Sequence, residues 1–173
     1  ERAVHWWIET LRRAFAERTA HLGDPDQHAV PLELLLSPAW VARARMAIGE
    51  TADAEGVLPT PLPESNETTH VSVLDPNGNA LSLTTTLNGS FGSAILVRGA
   101  GFLLNNELDD FALPRAAPNQ FGLVGGAANQ IAPGKRPLSS LSPTILRGEN
   151  GAVCLVLGSP GGPRITTTVI AIC

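Results

Sequence analysis

The chain has 173 residues, enough for one domain with a buried core. With 43% hydrophobic and 16% charged residues it is neither disordered nor a charged coil. Its net charge of −4 with no basic cluster argues against a nucleic-acid partner, and its longest apolar run, Val153 to Leu157, is far too short to span a bilayer.

Residue 1 falls inside a helical pattern, so the chain reads as an excerpt of a larger protein, and the lack of a signal peptide says nothing about export. Val4, Ile8, Leu11 and Phe15 recur at helical spacing with Glu9, Arg12, Arg13 and Arg18 between them. That pattern predicts an amphipathic helix ending before Gly23-Asp24-Pro25. Ser37-Pro38 reads as an N-cap followed by proline at the first helical position, with Gly49 as the stop. From Glu50 to Glu67 the periodicity vanishes, and Gly56, Pro59, Pro61 and Pro63 stand among acidic residues, which reads as an exposed, mobile linker.

Composition turns β-rich at Thr68. His70 to Leu74 and Ala80 to Leu87 flank Asp75-Pro76-Asn77-Gly78-Asn79, a tight hairpin. Ile95 to Val97 and Phe102 to Leu104 are short strand candidates. Thr144 to Arg147 and Ala152 to Leu157 flank Gly148-Glu149-Asn150-Gly151, a further hairpin. Arg164 to Ile172 fits helix or strand, and the glycine-rich stretch before it favours helix. Cys154 and Cys173 lie in apolar sequence and read as buried thiols rather than a disulfide or a reactive site.

The chemistry concentrates around Glu67-Thr68-Thr69-His70. A threonine hydroxyl is a poor nucleophile without an adjacent base, and the α-amino group freed by cutting the preceding bond is one compact solution. That amine titrates near pH ~8, so it accepts protons under physiological conditions. A Thr doublet where a Pro-rich loop meets a strand suits such a cut, although chemistry alone does not choose between Thr68 and Thr69. The bland alternative is a threonine that merely starts a strand. His70 is taken as adjacent to the nucleophile on a strand, pointing to the opposite face in a structural role. Glu107 and Asp110 stand three apart in a Gly/Asn-rich loop, either converging on a cation or forming a solvated acidic turn. Gly161 and Gly162 let backbone N–H groups approach a ligand closely, or form a plain turn; they are not a nucleotide loop, because Lys-Ser/Thr does not follow. His5, His21 and His28 show no metal spacing, and no metal site is expected.

Several motifs stand in order: Leu22-Gly23-Asp24-Pro25-Asp26, Thr68-Thr69-His70-Val71-Ser72-Val73, Asp75-Pro76-Asn77-Gly78-Asn79-Ala80, Thr86-Leu87-Asn88, Gly101-Phe102-Leu103-Leu104-Asn105-Asn106-Glu107-Leu108-Asp109-Asp110-Phe111, Pro133-Gly134-Lys135-Arg136-Pro137-Leu138-Ser139-Ser140-Leu141-Ser142-Pro143-Thr144 and Gly158-Ser159-Pro160-Gly161-Gly162. Together, over nearly the whole chain, they resemble the γ-glutamyltransferase (γ-glutamyltranspeptidase) family of N-terminal-nucleophile hydrolases. The resemblance implies an α+β fold, a four-layer αββα sandwich with two stacked antiparallel sheets, incomplete in this chain. Residues 1–67, with the linker 50–67, would end a large subunit, and residues 68–173 would begin a small catalytic subunit, the two pairing as a heterodimer after cleavage.

The resemblance also implies roles. Thr68 would attack the carbonyl of Glu67, and water would open the resulting ester to free the amine. Thr86 would hydrogen-bond the nucleophile's hydroxyl. Asn88, Glu107 and Asp110 would hold a substrate α-ammonium, Ser139 and Ser140 its α-carboxylate, and Gly161 and Gly162 an oxyanion. The family adds an arginine from the large subunit to the carboxylate clamp; it would lie upstream of residue 1, and neither Lys135 nor Arg136 is taken as its substitute. The implied activity is γ-glutamyl transfer and hydrolysis on glutathione and related γ-glutamyl amides, with amino acids or peptides as acceptors, no cofactor, and a periplasmic or extracellular setting. The alternatives are a related N-terminal-nucleophile amidase or acylase, and an inactive fragment with a binding role.

Overall fold

The computed structural model describes residues 2–51, 67–113 and 117–173. Most of the expected linker therefore lies outside the described residues. The order of elements is α1 (Arg2–His21), α2 (Leu32–Leu35), α3 (Pro38–Met46), β1 (Thr69–Leu74), β2 (Ala80–Thr85), β3 (Leu96–Val97), β4 (Phe102–Leu103), β5 (Thr144–Arg147), β6 (Val153–Leu157) and α4 (Ile165–Ile172), with short 3₁₀ turns between. Helix and sheet are mixed, as an α+β fold requires. Among the described residues the strands form three antiparallel pairs, β1–β2, β3–β4 and β5–β6. By compactness the chain divides into Glu1–Leu62 with Asp109–Leu138, and Pro63–Leu108 with Ser139–Cys173.

In the first unit, Ser37 caps α3 as expected: its Oγ accepts the Trp40 N–H at 3.1 Å with Pro38 at the helix start. The face of α1 differs from its pattern. Val4 and Ile8 are exposed, whereas Glu9 is buried. The reason is the row His5, Glu9, Arg13, Glu17, one turn apart on one side of the helix. Arg13 donates to Glu9 Oε2 at 2.5 Å and to Ala47 O at 2.6 Å, Arg12 to Glu9 Oε1 at 2.7 Å, and the Trp40 indole N–H to Glu17 at 3.0 Å. The two guanidiniums, Arg13 before Arg12, hold the Glu9 carboxyl below its usual range and so make its burial tolerable. The polar row, not the apolar one, thus meets α3. Phe111, Ala112 and Ala128 are buried, and Ala112 bridges Gln130.

The second unit is built from hairpins. Asp75 closes the first: its Oδ1 accepts the N–H groups of Asn77 and Asn79, each at 2.8 Å, while Gly78 takes φ +85°. The Asn79 side chain is the main cause holding the Asp75 carboxyl below its usual range. β1 and β2 pair from Thr69↔Thr85 through Leu74↔Ala80. Even-numbered residues His70, Ser72, Ser82 and Thr84 therefore share one face and Val71, Val73, Leu81 and Leu83 the other. The polar face is the one that docks: Ser72 Oγ donates to Val156 O at 3.1 Å and Ser82 Oγ to Leu157 O at 2.8 Å. The four apolar residues are 43% to 50% exposed.

β5 and β6 flank the Gly148–Gly151 turn, with a register shift at Leu146/Arg147. Leu157, Ile165 and Val169 form a small core, with Leu141 and Leu155 packed against it. That alternation explains why the two cysteines are exposed rather than buried as expected. Leu155 and Leu157 turn one face of β6 to the core, and Cys154 takes the other. Cys173 follows the last turn of α4 and packs on neither Ile165 nor Val169.

Candidate active site

Thr68 sits immediately before β1 and is 8% exposed. Its neighbour Thr69 is exposed and pairs with Thr85. Continuing that register by one step sets Thr68 opposite Thr86, at the open end of the hairpin. Thr86 Oγ1 accepts the Asn88 N–H at 2.9 Å and retains its own proton to donate. Glu67, on the other side of the expected cleavage point, accepts a hydrogen bond from Ser90 Oγ.

Asn88 is buried at φ +75°, a left-handed backbone that Asn tolerates better than most residues. Its amide donates to Asn106 O at 3.3 Å, and Asn106 Oδ1 accepts the Gly89 N–H at 2.8 Å. These bonds tie the turn after β2 to the segment that leads into Glu107. Glu107 opens and Asp110 closes a single 3₁₀ turn, in which residues three apart eclipse. The boundary between the compact units falls inside this turn, so Asp110 counts with the first. There Asn129 Nδ2 donates to Asp110 O at 2.7 Å, and burial lowers the pKa of Arg18 while the Asp110 charge opposes that shift.

Ser139 Oγ accepts the Leu141 N–H at 3.1 Å, a local serine turn. Ser140 O accepts from the Ser142 hydroxyl at 3.1 Å and the Thr166 hydroxyl at 3.3 Å, fixing the pair against α4. Lys135 Nζ donates to Ala128 O at 2.7 Å, and Arg136 pairs with Asp24 and Asp26.

Gly161 has φ +121° and Gly162 φ +56°, and the pair leads through the 3₁₀ turn Gly162–Arg164 into α4. A side chain is strained in either conformation. Among the described residues neither N–H has an intrachain acceptor. Two adjacent donors without partners at the entry to a helix suit a developing oxyanion.

His70 corrects the expectation. It lies two residues from Thr68, not one, so strand periodicity puts both on the same face. Its Nδ1 is 2.8 Å from Thr84 Oγ1 and its Nε2 3.0 Å from Ser72 Oγ. Ser72, Thr84 and Gly158 were not singled out by sequence. The signal that would have found Ser72 and Thr84 is the alternation of small polar residues on two paired strands. A cavity of about 400 Å³ lined by Trp6, Arg13, Trp40, Val41 and Ile48 lies in the first unit and contains none of the expected site residues. Among the described residues no cluster of His, Cys, Asp and Glu is arranged to hold a metal.

The γ-glutamyltranspeptidase family model matches residues 1–173. A glutathione hydrolase proenzyme from Pseudomonas aeruginosa is 46% identical over 171 residues, which cover 99% of this chain and 30% of that protein. The glutathione hydrolase proenzyme of Escherichia coli is 46% identical over 172 residues, covering 97% and 30%. Among solved structures, the γ-glutamyltranspeptidase of Pseudomonas nitroreducens complexed with L-DON aligns with a TM-score of 0.57 at 56% identity, covering 59% of this chain and 52% of that one. A variant of the Helicobacter pylori γ-glutamyltranspeptidase aligns with a TM-score of 0.56 at 61% identity, covering 59% and 54%. The chain spans about 30% of the length of the curated relatives it matches. With a family model matched from end to end and relatives 46% identical over nearly all of its length, the chain belongs to the γ-glutamyltranspeptidase family.

Proposed function

We propose that the protein containing this chain is a γ-glutamyltransferase and glutathione hydrolase that cuts itself between Glu67 and Thr68. The observation that carries the reading is Thr68, buried at the head of β1 and one register step from the last recorded pair, opposite Thr86. Relatives named glutathione hydrolase proenzyme support it, as does a solved γ-glutamyltranspeptidase whose C-terminus is given roles in autoprocessing and catalysis.

In this reading the Thr68 hydroxyl attacks the Glu67 carbonyl, the Glu67–Thr68 C–N bond breaks as the Thr68 O–C bond forms, and water hydrolyses that ester. The freed α-amine then takes the hydroxyl proton when Thr68 Oγ attacks the γ-amide of glutathione or a related compound. The proton passes to the departing amine, and the γ-glutamyl ester is resolved by water or by the amino group of an acceptor amino acid or peptide. The Gly161 and Gly162 N–H groups receive the tetrahedral oxyanion, each donor worth about 3–4 kcal/mol in such sites. Asn88, Glu107 and Asp110 bind the α-ammonium, and Ser139 and Ser140 the α-carboxylate, with an arginine from elsewhere in the protein. Residues 1–67 end the large subunit and residues 68–173 begin the small one, in a heterodimer with a four-layer αββα core, working outside the cytoplasm.

The test is intact mass of the full-length protein with and without Thr68→Ala, combined with turnover of γ-glutamyl-p-nitroanilide. Cleavage that exposes Thr-Thr-His-Val-Ser together with turnover supports the reading. A fully active protein that stays a single chain rejects it.

A further inference from the structure

We propose that His70 is a positioning residue that seats the Gly158–Gly162 loop against the strand carrying Thr68. The inference rests on the catalytic reading above and deepens it. Gly161 and Gly162 can serve an oxyanion only if their N–H groups are held at a fixed offset from the Thr68 hydroxyl. The loop that carries them leaves β6 at Leu157, and its first residue is Gly158.

His70 bridges these two parts. A Cβ built on Gly158 would lie 2.2 Å from both Cε1 and Nδ1 of the His70 ring, well inside contact distance. Gly158 is therefore glycine because the imidazole occupies the space beside it, not because of its backbone angle. The ring is fixed in turn at both nitrogens. Ser72 Oγ donates its one proton to Val156 O at 3.1 Å, so toward His70 it can only accept, and Nε2 carries the hydrogen. In that tautomer Nδ1 accepts the proton of the buried Thr84 hydroxyl at 2.8 Å. A directed chain runs from Thr84 through the ring and Ser72 to the main chain of β6, two residues before Gly158. Ser82 Oγ to Leu157 O at 2.8 Å adds a parallel bond. The stripe Thr86, Thr84, His70, Ser72 is one face of one hairpin, and Thr68 continues it. A rotation of the ring would release Gly158 and shift the donors three and four residues further on.

The experiment is a double-mutant cycle in the full-length, self-cleaved protein, using His70→Ala, Gly158→Ala and the pair, with His70→Gln as the conservative variant. Steady-state hydrolysis of γ-glutamyl-p-nitroanilide and Tm are measured for each. His70→Ala should lower kcat about 10²-fold, the loss expected of a misplacement near 1 Å, while KM stays within about threefold. Gly158→Ala should be at least as damaging. The pair should be no worse than Gly158→Ala alone, because removing the ring makes room for the new methyl group. His70→Gln, which keeps a donor toward Ser72 and the bulk beside Gly158, should recover kcat to within about tenfold of wild type. Additive losses, a His70→Ala kcat within twofold of wild type, or a defect carried by KM or Tm alone would overturn the proposal. A wild type that turns over no γ-glutamyl compound would instead reject the catalytic reading. In that case the cycle on Tm still decides the His70–Gly158 contact, and additive Tm changes would overturn that too.

Discussion

Asp24 and Arg136, 112 residues apart in sequence, meet in a paired contact: Arg136 Nη2 lies 2.5 Å from Asp24 Oδ1, and the Arg136 main-chain N–H donates to Oδ2 at 2.8 Å. The carboxylate is buried while the guanidinium is largely exposed and also reaches Asp26 at 2.6 Å. The contact fastens the segment after Gly134 to the end of α1, three residues before Ser139 in the chain.

The Arg136 side chain, then its main-chain N–H, holds the Asp24 carboxyl far below the usual carboxylate range. Because the folded pKa is depressed, this stabilisation is present above the unfolded value near ~3.9 and is lost as pH falls through the folded one. Asp24→Asn in the full-length protein should therefore be less stable than wild type at pH 7. The gap between them should narrow from pH 5 downward. Urea midpoints at pH 7, 5, 4 and 3 check this, and a gap independent of pH would contradict it.

Thr68→Ala should abolish both self-cleavage and turnover, since no other group supplies hydroxyl and amine together. Thr69→Ala changes an exposed strand residue paired with Thr85, where the propensity difference is below about 1 kcal/mol. Its kcat/KM should stay within about tenfold of wild type. Intact mass and steady-state kinetics of the two variants separate the roles; a dead Thr69→Ala beside an active Thr68→Ala would move the nucleophile by one residue.

Gly161→Ala forces a side chain into φ +121°, a strain of about 1–3 kcal/mol, and displaces the loop's donors. A fall in kcat of about 10²–10³-fold is expected, the range seen when one oxyanion donor is lost. KM for γ-glutamyl-p-nitroanilide should change far less. Equal effects on kcat and KM would point to general damage to the loop.

Asp110→Ala should cripple turnover, because a bound ammonium deprived of its carboxylate loses a charge-assisted hydrogen bond of about 1.5–3 kcal/mol and keeps its desolvation penalty. Self-cleavage at Thr68 involves no substrate ammonium and should largely survive. Wild type should also discriminate strongly against glutaryl-p-nitroanilide, which lacks the α-amino group. Comparable kcat/KM for the two compounds would favour an acylase.

The elements legible in the sequence were those with local causes. Ser37-Pro38 contains its own cap, and Asp75 to Asn79 its own turn, so both appear where expected. The 3₁₀ turns at Glu107–Asp110 and Ala127–Asn129 have no periodicity to read, and α2 is a single turn. Burial was harder, because it depends on distant partners. Glu9 is buried only because Arg12 and Arg13 neutralise it and α3 lies beside that row. What the ordered motifs made legible was the family. The working of the first hairpin was not, because hydrophobic-in patterning assigns Val71 and Leu83 to the interior, whereas the polar side docks on β6.

Val71, Val73, Leu81 and Leu83 turn an apolar plate toward water from one side of β1–β2. A contiguous apolar face of this kind drives proteins together through the hydrophobic effect. A preparation of these 173 residues alone should be colloidally unstable, with light scattering that rises with concentration and temperature and falls in dilute urea. Lysine at positions 71 and 83, on the side of the hairpin away from His70, should restore a monodisperse solution. The same hairpin thus offers one face to association and spends the other on β6.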